Sequence, residues 1–297
     1  MPDVHDETPI AEVTSTVSAW FARSSRDLPW RSPQTTAWGV LVSEIMLQQT
    51  PASRVVTPWQ AWMARWPSPA DLAAAGTDDV LRAWDRLGYP RRALRLQQAA
   101  RAIVDHHGGD VPDNEDALRA LPGIGSYTAA AVRAFAFGRR SLVLDVNIRR
   151  VLARLDGGVE HPARSETAQE RRRAWQWVPD GDRDAATWSA AAMELGATVC
   201  TARSPRCPAC PVATHCTWLA LGRPAWDGPE RVAQPWDGTD RQCRGRIMAA
   251  LRASTATVAL ADIVWADDDQ RRRCAASLVD DGLAEPAATG LRLPGSA

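Results

Sequence analysis

Apolar residues recur at helical spacing along most of this 297-residue chain. In residues 10–24 they fall every three or four positions and form one stripe, made of Ile10, Val13, Val17, Trp20 and Phe21. Similar patterns predict helices over residues 38–49, from Pro51 onward, over 77–84 with Thr77 as cap, over 90–106 and over 126–137. No segment alternates apolar and polar residues for long before residue 283, so the chain is predicted to be all-α.

The last quarter of the chain has a pattern of its own. Residues 223–240 are rich in Pro, Gly and Trp, and they predict a linker on the surface. After the linker, helices are predicted over 241–253, 259–266 and 268–281, and then two short strands follow with a turn at Gly290. Three helices and a hairpin in this order predict a small winged-helix-like tail, a module that binds either DNA or protein.

Two glycines punctuate the chain just before residues 126–137. Gly123 and Gly125, in the segment Leu-Pro-Gly-Ile-Gly, allow a sharp turn that presents backbone N–H groups at the start of a helix. The turn can bind a DNA phosphate, or it can be an ordinary corner between two helices. Two acidic residues are candidate catalytic residues. They are Asp145, which follows an apolar triplet, and Glu44, which lies among apolar residues of the helix over 38–49.

Each of these acids has a chemical and a structural interpretation. Burial among Val42, Ile45 and Met46 would raise the pKa of Glu44 and make it a general acid, unless it lies on a solvated helix face. Asp145 can act as an ionised carboxylate held by Asn147, as a helix N-cap, or as both. One protonated and one ionised carboxyl group are the pair that cleaves a glycosidic bond. Their meeting is a hypothesis at this stage.

Four of the six cysteines are clustered as C-x6-C-x2-C-x5-C, and these are Cys200, Cys207, Cys210 and Cys216. The spacing predicts a metal site, which ligand chemistry alone would assign equally to zinc or to an iron-sulfur cluster. The loop carries Arg203 and Arg206 without any acid, so it either presents arginines to a phosphate or is a purely structural staple. Cys243 and Cys274 stand apart and are predicted to be small buried apolar residues.

Composition narrows these hypotheses. Basic and acidic residues balance at 35 each, so any attraction to DNA must come from local patches. All the basic residues are arginine, because the sequence contains no lysine. No run of about 18 apolar residues is present, and the acidic first residues are unlike a signal peptide, so a cytoplasmic protein is expected.

Several of these segments together resemble one family. They are DLPWR, SEIMLQQT, LGYPRRALRL, LPGIGSYTAAAVRAF, LVLDVNIRRVLAR and the cysteine spacing. In this order they are similar to the helix-hairpin-helix DNA glycosylases of the endonuclease III superfamily, and most similar to the MutY-type adenine DNA glycosylases. The resemblance covers roughly residues 10–222 and implies a 4Fe-4S cluster on the four clustered cysteines. It also implies that a monofunctional enzyme removes adenine mispaired with 8-oxoguanine or guanine from double-stranded DNA.

The resemblance also implies an organisation and a set of roles. A glycosylase region, residues 1–222, would have two lobes: a six-helix lobe over about 30–140, and an iron-sulfur lobe made of the N-terminal helix and about 141–222. The linker 223–240 and the tail 241–297 would follow, and the protein would be a monomer associated with the nucleoid. Glu44 would protonate adenine, Asp145 would stabilise the sugar cation, and Asn147 would orient Asp145. Tyr127 replaces the lysine of strand-cleaving relatives, so β-lyase chemistry by a lysine side chain is excluded.

Further residues match positions that contact DNA in that family. Those that would line the flipped adenine are Arg26, Trp30, Arg31 and Glu194. Those that would wedge into the duplex and touch the opposite base are Gln48, Gln49, Thr50 and Tyr89. Gly123 and Gly125 would bind phosphate. For Trp30 and Tyr89, core packing is the alternative interpretation.

The tail departs from the family, because it is too short for the Nudix-like domain that commonly reads 8-oxoguanine. Two alternatives to adenine removal stay open from the sequence. One is a related glycosylase that removes thymine or uracil from mispairs, and the other is a non-catalytic iron-sulfur protein that binds DNA.

Overall fold

A computed structural model of the protein describes residues 9–229 and 236–296, and the regular secondary structure within them is almost entirely helical. The helices are α1 (Ile10–Ser24), α2 (Ala37–Leu47), α3 (Ala52–Arg65), α4 (Pro69–Ala74), α5 (Thr77–Trp84), α6 (Arg91–His107), α7 (Glu115–Ala120), α8 (Ser126–Phe137), α9 (Val146–Leu155), α10 (Ala168–Gln176), α11 (Asp182–Thr198), α12 (Thr217–Ala220), α13 (Asp240–Ala253) and α14 (Asp268–Asp280). Strands β1 (Glu285–Ala287) and β2 (Gly290–Arg292) pair antiparallel as one hairpin. The all-α prediction is therefore confirmed.

The described residues fall into two compact units. The first contains residues 9–40, 113–116 and 124–229. Its centre is α11, against which α1, α8 and α9 pack. Apolar side chains of these helices are fully buried there, among them Val13, Val17, Ala131, Ala192 and Leu195. The repeated alanines of α8 and α11 allow the helices to approach closely.

The second unit contains residues 41–112, 117–123 and 236–296. Buried tryptophans form its centre: the ring of Trp62 lies 4.6 Å from that of Trp66 and 5.5 Å from that of Trp84, both edge to face. Aromatic pairs at these distances contribute roughly 1 kcal/mol each beyond the area that they bury. Helix α13 of the tail packs on α5, and α14 packs on α13.

Two helix ends differ from the sequence prediction. Gly76, not Thr77, is the N-cap of α5, and the Thr77 hydroxyl instead donates a hydrogen bond to Oε1 of Gln97, 3.2 Å away. The helix predicted over 38–49 ends at Leu47. It ends early because Gln49 has a φ of 55°, in the left-handed region, where no right-handed helix can continue.

The tail has the predicted order of elements with two corrections. Residues 259–266 contain only a 3-10 turn at Leu260–Asp262, because Val258 just before it forms a β-bridge with Leu291. Gly290 lies in β2, not in the turn, and a Cβ there would meet the carbonyl oxygen of Val258 at 2.1 Å. Part of the predicted linker, residues 230–235, lies outside the described residues. None of the described helices is long and apolar enough to cross a membrane.

Candidate active site and metal centre

Asp145 ends an extended segment and begins α9. Its Oδ1 accepts hydrogen bonds from the backbone N–H groups of Asn147 (2.9 Å) and Ile148 (2.7 Å), so it is the N-cap of the helix. Its Oδ2 accepts a third hydrogen bond, from Nδ2 of Asn147 at 2.7 Å. Burial raises the pKa of Asp145, and these hydrogen bonds and the charge of Arg150 act in the opposite direction. The carboxylate is therefore poorly hydrated but firmly oriented.

Two arginines of α9, one turn apart, continue from Asp145 to the cysteine loop. Arg150 donates to Oδ1 of Asn147 at 2.8 Å and to the carbonyl oxygen of Cys200 at 2.8 Å. Arg154 is 1% exposed and donates to Sγ of Cys200 at 3.4 Å and to the carbonyl oxygen of Thr201 at 2.7 Å. A continuous set of charge-assisted hydrogen bonds thus joins the carboxylate to the first cysteine of the loop.

The four clustered cysteines line a single cavity, together with Arg154 and Trp218. Burial, with the neighbouring thiols adding to it, raises the pKa of Cys210 to about 11, so ligation needs a cationic group to stabilise the thiolates. In the described part of the chain, no three His, Cys, Asp or Glu residues are arranged to hold a single metal ion. Four thiols around one cavity are a ligand set that either zinc or an iron-sulfur cluster can take.

Glu194 holds two of the predicted adenine-contacting residues. Its carboxylate accepts from Nε (2.6 Å) and Nη2 (2.8 Å) of Arg26 and from Nη2 of Arg31 (2.9 Å). Glu194 is fully buried, whereas the Arg26 and Arg31 side chains are 42% and 24% exposed. Burial alone would raise the pKa of Glu194, but the hydrogen bonds and charges of the two arginines outweigh it and hold the pKa at about 2. Trp30, between the arginines in sequence, is 8% exposed.

Glu194→Gln is expected to lower the free energy of unfolding at pH 7 by roughly 3 kcal/mol, because it removes the buried partner of two arginines. The effect is expected to shrink as the pH falls from 4.5 towards 2, where the wild-type carboxylate becomes protonated. Urea unfolding at several pH values measures both effects. Glu12→Gln in α1 is the control, since that side chain is 63% exposed. Equal stability of wild type and Glu194→Gln at pH 7 would contradict the assignment.

Glu44 lies on α2 and is 5% exposed, with buried Val42, Ile45 and Met46 beside it in sequence. The solvated-face interpretation of this acid is therefore wrong. Tyr127, in the first turn of α8, is partly buried against the core of the first unit. Asp145 belongs to the first unit and Glu44 to the second, and their meeting at one site stays a prediction.

Two of the predicted wedge residues have unusual backbone conformations. Gln49 has a φ of 55° and Tyr89 a φ of 47°, and neither is glycine. Residues with side chains rarely occupy the left-handed region, at a cost on the order of 1 kcal/mol or more, and such strain concentrates at functional sites. Both residues are exposed. By contrast, Thr50 is 7% exposed, and its hydroxyl bonds to the carbonyl oxygens of Gln48 and Leu87.

Arg92 binds both strained segments at once. Its Nη1 donates to the carbonyl oxygens of Ile45 (2.7 Å) and Gln48 (2.7 Å), and its Nη2 donates to those of Leu87 (3.0 Å) and Gly88 (3.0 Å). Its guanidinium also lies over the rings of Trp84 and Tyr89. Burial lowers the pKa of Arg92 to about 10, so the side chain is still cationic at neutral pH.

The two hairpin glycines serve different purposes. Gly123 has a φ of 82°, and a Cβ there would lie 2.9 Å from Cβ of Arg95, so the fold itself requires glycine. Gly125 has an ordinary φ of −93°, and a Cβ there would meet nothing within 4 Å. Gly125 is the N-cap of α8 and has no side chain to cap it. The open space at Gly125 is what close approach of an outside group requires.

The structure brings the predicted residues together in groups. Asp145 with Asn147 forms one group, and Arg26 and Arg31 with Glu194 form another. The segment of Gln48, Gln49 and Thr50 meets Tyr89 through Arg92. Sequence reasoning missed Arg92, Arg150 and Arg154. Their only sequence signal is an arginine on an otherwise apolar helix face, which does not reveal a partner.

Two family models match the chain. The model described as HhH-GPD superfamily base excision DNA repair protein matches residues 42–177. The model described as the iron-sulfur binding domain of endonuclease III matches residues 200–216, which begin and end at clustered cysteines.

Similar proteins extend these matches. The adenine DNA glycosylase of Mycobacterium tuberculosis is 48% identical over 281 residues, covering 93% of this chain and 92% of the relative. That of Mycolicibacterium smegmatis is 49% identical over 276 residues, covering 92% of each. The human adenine DNA glycosylase is 39% identical over 218 residues, 70% of this chain but 40% of the relative. A solved thermostable thymine-DNA glycosylase is 27% identical with a TM-score of 0.65, covering 71% of this chain and 97% of its own.

Proposed function

The chain belongs to the HhH-GPD superfamily of base excision DNA repair proteins and within it to the adenine DNA glycosylases, and from this premise we propose that its substrate is adenine mispaired with 8-oxoguanine or guanine. We further propose that it removes the base without cutting the strand. It is an adenine-specific DNA N-glycosylase with a 4Fe-4S cluster. The main structural support for the proposed site is that three hydrogen bonds orient the carboxylate of Asp145 in poorly hydrated surroundings.

In the proposed reaction, the bond between adenine and the sugar breaks as positive charge develops on the sugar, and water then adds to the sugar carbon and loses a proton. The ionised Asp145 stabilises that cation, and its poor hydration strengthens the interaction because less water screens the charge. Burial raises the pKa of Asp145, so the carboxylate becomes protonated at a higher pH than an ordinary aspartate does. As the pH is lowered, the excision rate should therefore begin to fall at that higher pH. Buried Glu44 would supply the proton to the departing base.

We propose that base recognition involves two sets of exposed residues, one held by Glu194 and the other held by Arg92. Arg26 and Arg31 are held by Glu194 with donors left over, so they would contact adenine, while Glu194 itself acts as a positioning residue. Gln49 and Tyr89, exposed and held by Arg92, would enter the duplex when adenine flips out. Thr50 fits a role in holding this segment, because its hydroxyl is engaged within the protein.

The cluster is assigned to Cys200, Cys207, Cys210 and Cys216, the cysteines that line one cavity. When bound, it neutralises and ties together four thiolates that the loop could not otherwise bury. The loop itself presents Arg203 and Arg206 in an acid-free segment, and we propose that these contact the DNA backbone. The monomeric state and the nucleoid location remain predictions.

The test of the proposed function uses duplexes with adenine opposite 8-oxoguanine, adenine opposite guanine, thymine opposite guanine, and matched pairs. Each is incubated with the protein and then treated with hot alkali. Adenine release from the two mispairs, with strand cleavage only after alkali, is the expected result, because the chain has no lysine. Thymine release, no release, or strand cleavage before alkali would overturn the substrate or the monofunctional assignment.

The two hairpin glycines provide a matched pair for the proposed phosphate contact. Gly125→Ala is expected to leave stability unchanged and to weaken duplex binding by roughly 10-fold, because the new methyl group occupies the space where a phosphate would approach. Gly123→Ala is expected to destabilise the protein by about 1–3 kcal/mol through its positive φ and the contact with Arg95. Thermal unfolding and fluorescence anisotropy with labelled duplex measure the two effects. Normal DNA binding by Gly125→Ala would contradict the phosphate contact.

A further inference from the structure

The tail places an arginine next to the predicted wedge. Arg241 is the second residue of α13, and its guanidinium carbon lies 5.3 Å from the centre of the Tyr89 ring. On the tail side it lies 5.1 Å from the centre of the Trp236 ring. Both rings are well exposed, Tyr89 at 44% and Trp236 at 51%. A tail cation and two aromatic faces thus form one exposed cluster, Tyr89–Trp236–Arg241, within the second unit.

The position of this cluster is fixed by polar contacts between the tail and α5 and α6. Arg82 of α5 donates to the carbonyl oxygen of Arg252 at 2.6 Å. Arg91 of α6 forms an ion pair with Asp281 at 3.1 Å, and Arg244 of α13 binds the same carboxylate. The tail is therefore attached at both of its main helices, and Arg241 is not at the end of a free segment.

The segment before Arg241 is also held in place. The carbonyl oxygen of Gly238 accepts from Nε2 of Gln270 at 2.9 Å, and its N–H donates to Oε1 of Gln242 at 2.8 Å. Thr239 caps α13 by accepting from the N–H of Gln242. Trp236, just before this turn, is thereby kept close to Arg241.

Arg241 differs from four other arginines of the tail in its partners. Arg244, Arg271, Arg272 and Arg273 each pair with an aspartate, whereas Arg241 forms no ion pair with any residue that the structure describes. A guanidinium between two aromatic faces keeps its N–H donors in its own plane available. Such an arrangement suits recognition of a base whose edge carries adjacent acceptors, with the rings beside it for stacking.

We propose that Arg241 is a specificity-determining residue that reads the purine opposite adenine, with Trp236 stacking beside it. This inference rests on the proposed function, since it takes Tyr89 as the residue next to that purine. The group recognised is the purine edge that carries O6. Arginine can donate two hydrogen bonds to O6 and N7 of guanine, whereas N7 of 8-oxoguanine carries a proton, so that O6 remains the acceptor there. The tail, through this cluster, then contributes to discrimination between the bases opposite adenine.

The experiment measures duplex binding in an inactive Glu44→Gln background and excision in the active protein, both with full-length chain. Arg241→Ala is compared with Arg246→Ala, an exposed arginine of the same helix with no ion pair to a described residue. The duplexes carry adenine opposite 8-oxoguanine, guanine or cytosine, and binding is measured at several salt concentrations. Thermal unfolding of each variant checks that the tail stays folded.

The expected result is that Arg241→Ala lowers the preference for guanine over cytosine by roughly 10-fold and the preference for 8-oxoguanine over cytosine by less, while Arg246→Ala leaves both unchanged. An equal loss on all three duplexes with a weaker salt dependence would show a phosphate contact only and overturn the proposal. No loss at all would overturn it too. If the active protein releases no adenine, the proposed function fails, but the binding preference of the Glu44→Gln proteins still decides the role of Arg241.

Discussion

Asp145→Asn is expected to slow adenine release by at least about 100-fold while the protein stays folded and binds DNA. Asparagine is as good an N-cap as aspartate, so the hydrogen bonds to the N–H groups of Asn147 and Ile148 can persist. What the substitution removes is the negative charge beside the sugar. Single-turnover excision from a duplex with adenine opposite 8-oxoguanine measures the rate, and anisotropy measures binding.

This variant separates the two interpretations of Asp145. Asp267→Asn, at the N-cap of α14, is the control for a change confined to a cap, and it should leave excision unchanged. Glu44→Gln is expected to lose activity to a similar extent, because a neutral amide cannot protonate the base. Wild-type excision by Asp145→Asn would show that the residue is only a helix cap.

The sequence predicted those parts of the site that depend on local signals. The hairpin glycines, the helix that follows them and the cap at Asp145 are all set by residues within a few positions of each other. The cysteine loop is local in the same sense, since the four ligands lie within residues 200–216. The helix start at Asp145 was predicted correctly because the hydrogen bonds that define it join residues two and three positions apart.

What the sequence did not reveal depends on distant contacts. Arg92 binds carbonyl groups of Ile45 and Gln48, more than 40 residues away, and Arg150 binds the carbonyl of Cys200, 50 residues away. The positive φ angles of Gln49 and Tyr89 are equally hidden, because propensity favours other residues at such positions. The prediction that Thr77 caps α5 was wrong because its hydroxyl bonds instead to Gln97, a partner 20 residues away that the sequence did not reveal.

The matches to similar proteins differ in how much of this chain they cover, and therefore in whether they reach the tail. The mycobacterial matches span more than nine tenths of both chains, so they extend well into the tail. The match to the human enzyme covers less than half of that protein, and a thermostable thymine-DNA glycosylase matches only 71% of this chain. Of these matches, the two mycobacterial ones therefore cover more of this chain than the human enzyme and the thymine-DNA glycosylase do.

Arg92→Met is expected to lower the free energy of unfolding by roughly 3 kcal/mol, because it leaves several carbonyl groups without their donor. It is also expected to slow excision by about 10-fold or more in protein that is fully folded at the assay temperature, since Gln49 and Tyr89 lose the group that maintains their strained backbone. Urea unfolding and single-turnover excision measure the two effects separately.

Arg92→Lys distinguishes charge from geometry at this position. Lysine keeps the charge but cannot bind carbonyls of both segments in the planar arrangement of a guanidinium, so it should recover part of the stability and little of the excision rate. Arg101→Met, on the same helix with a single carbonyl contact at 3.4 Å, should change neither. Full activity of Arg92→Met, once it is folded, would mean that the two segments keep their conformation without the arginine. The strain at Gln49 and Tyr89 would then need another origin.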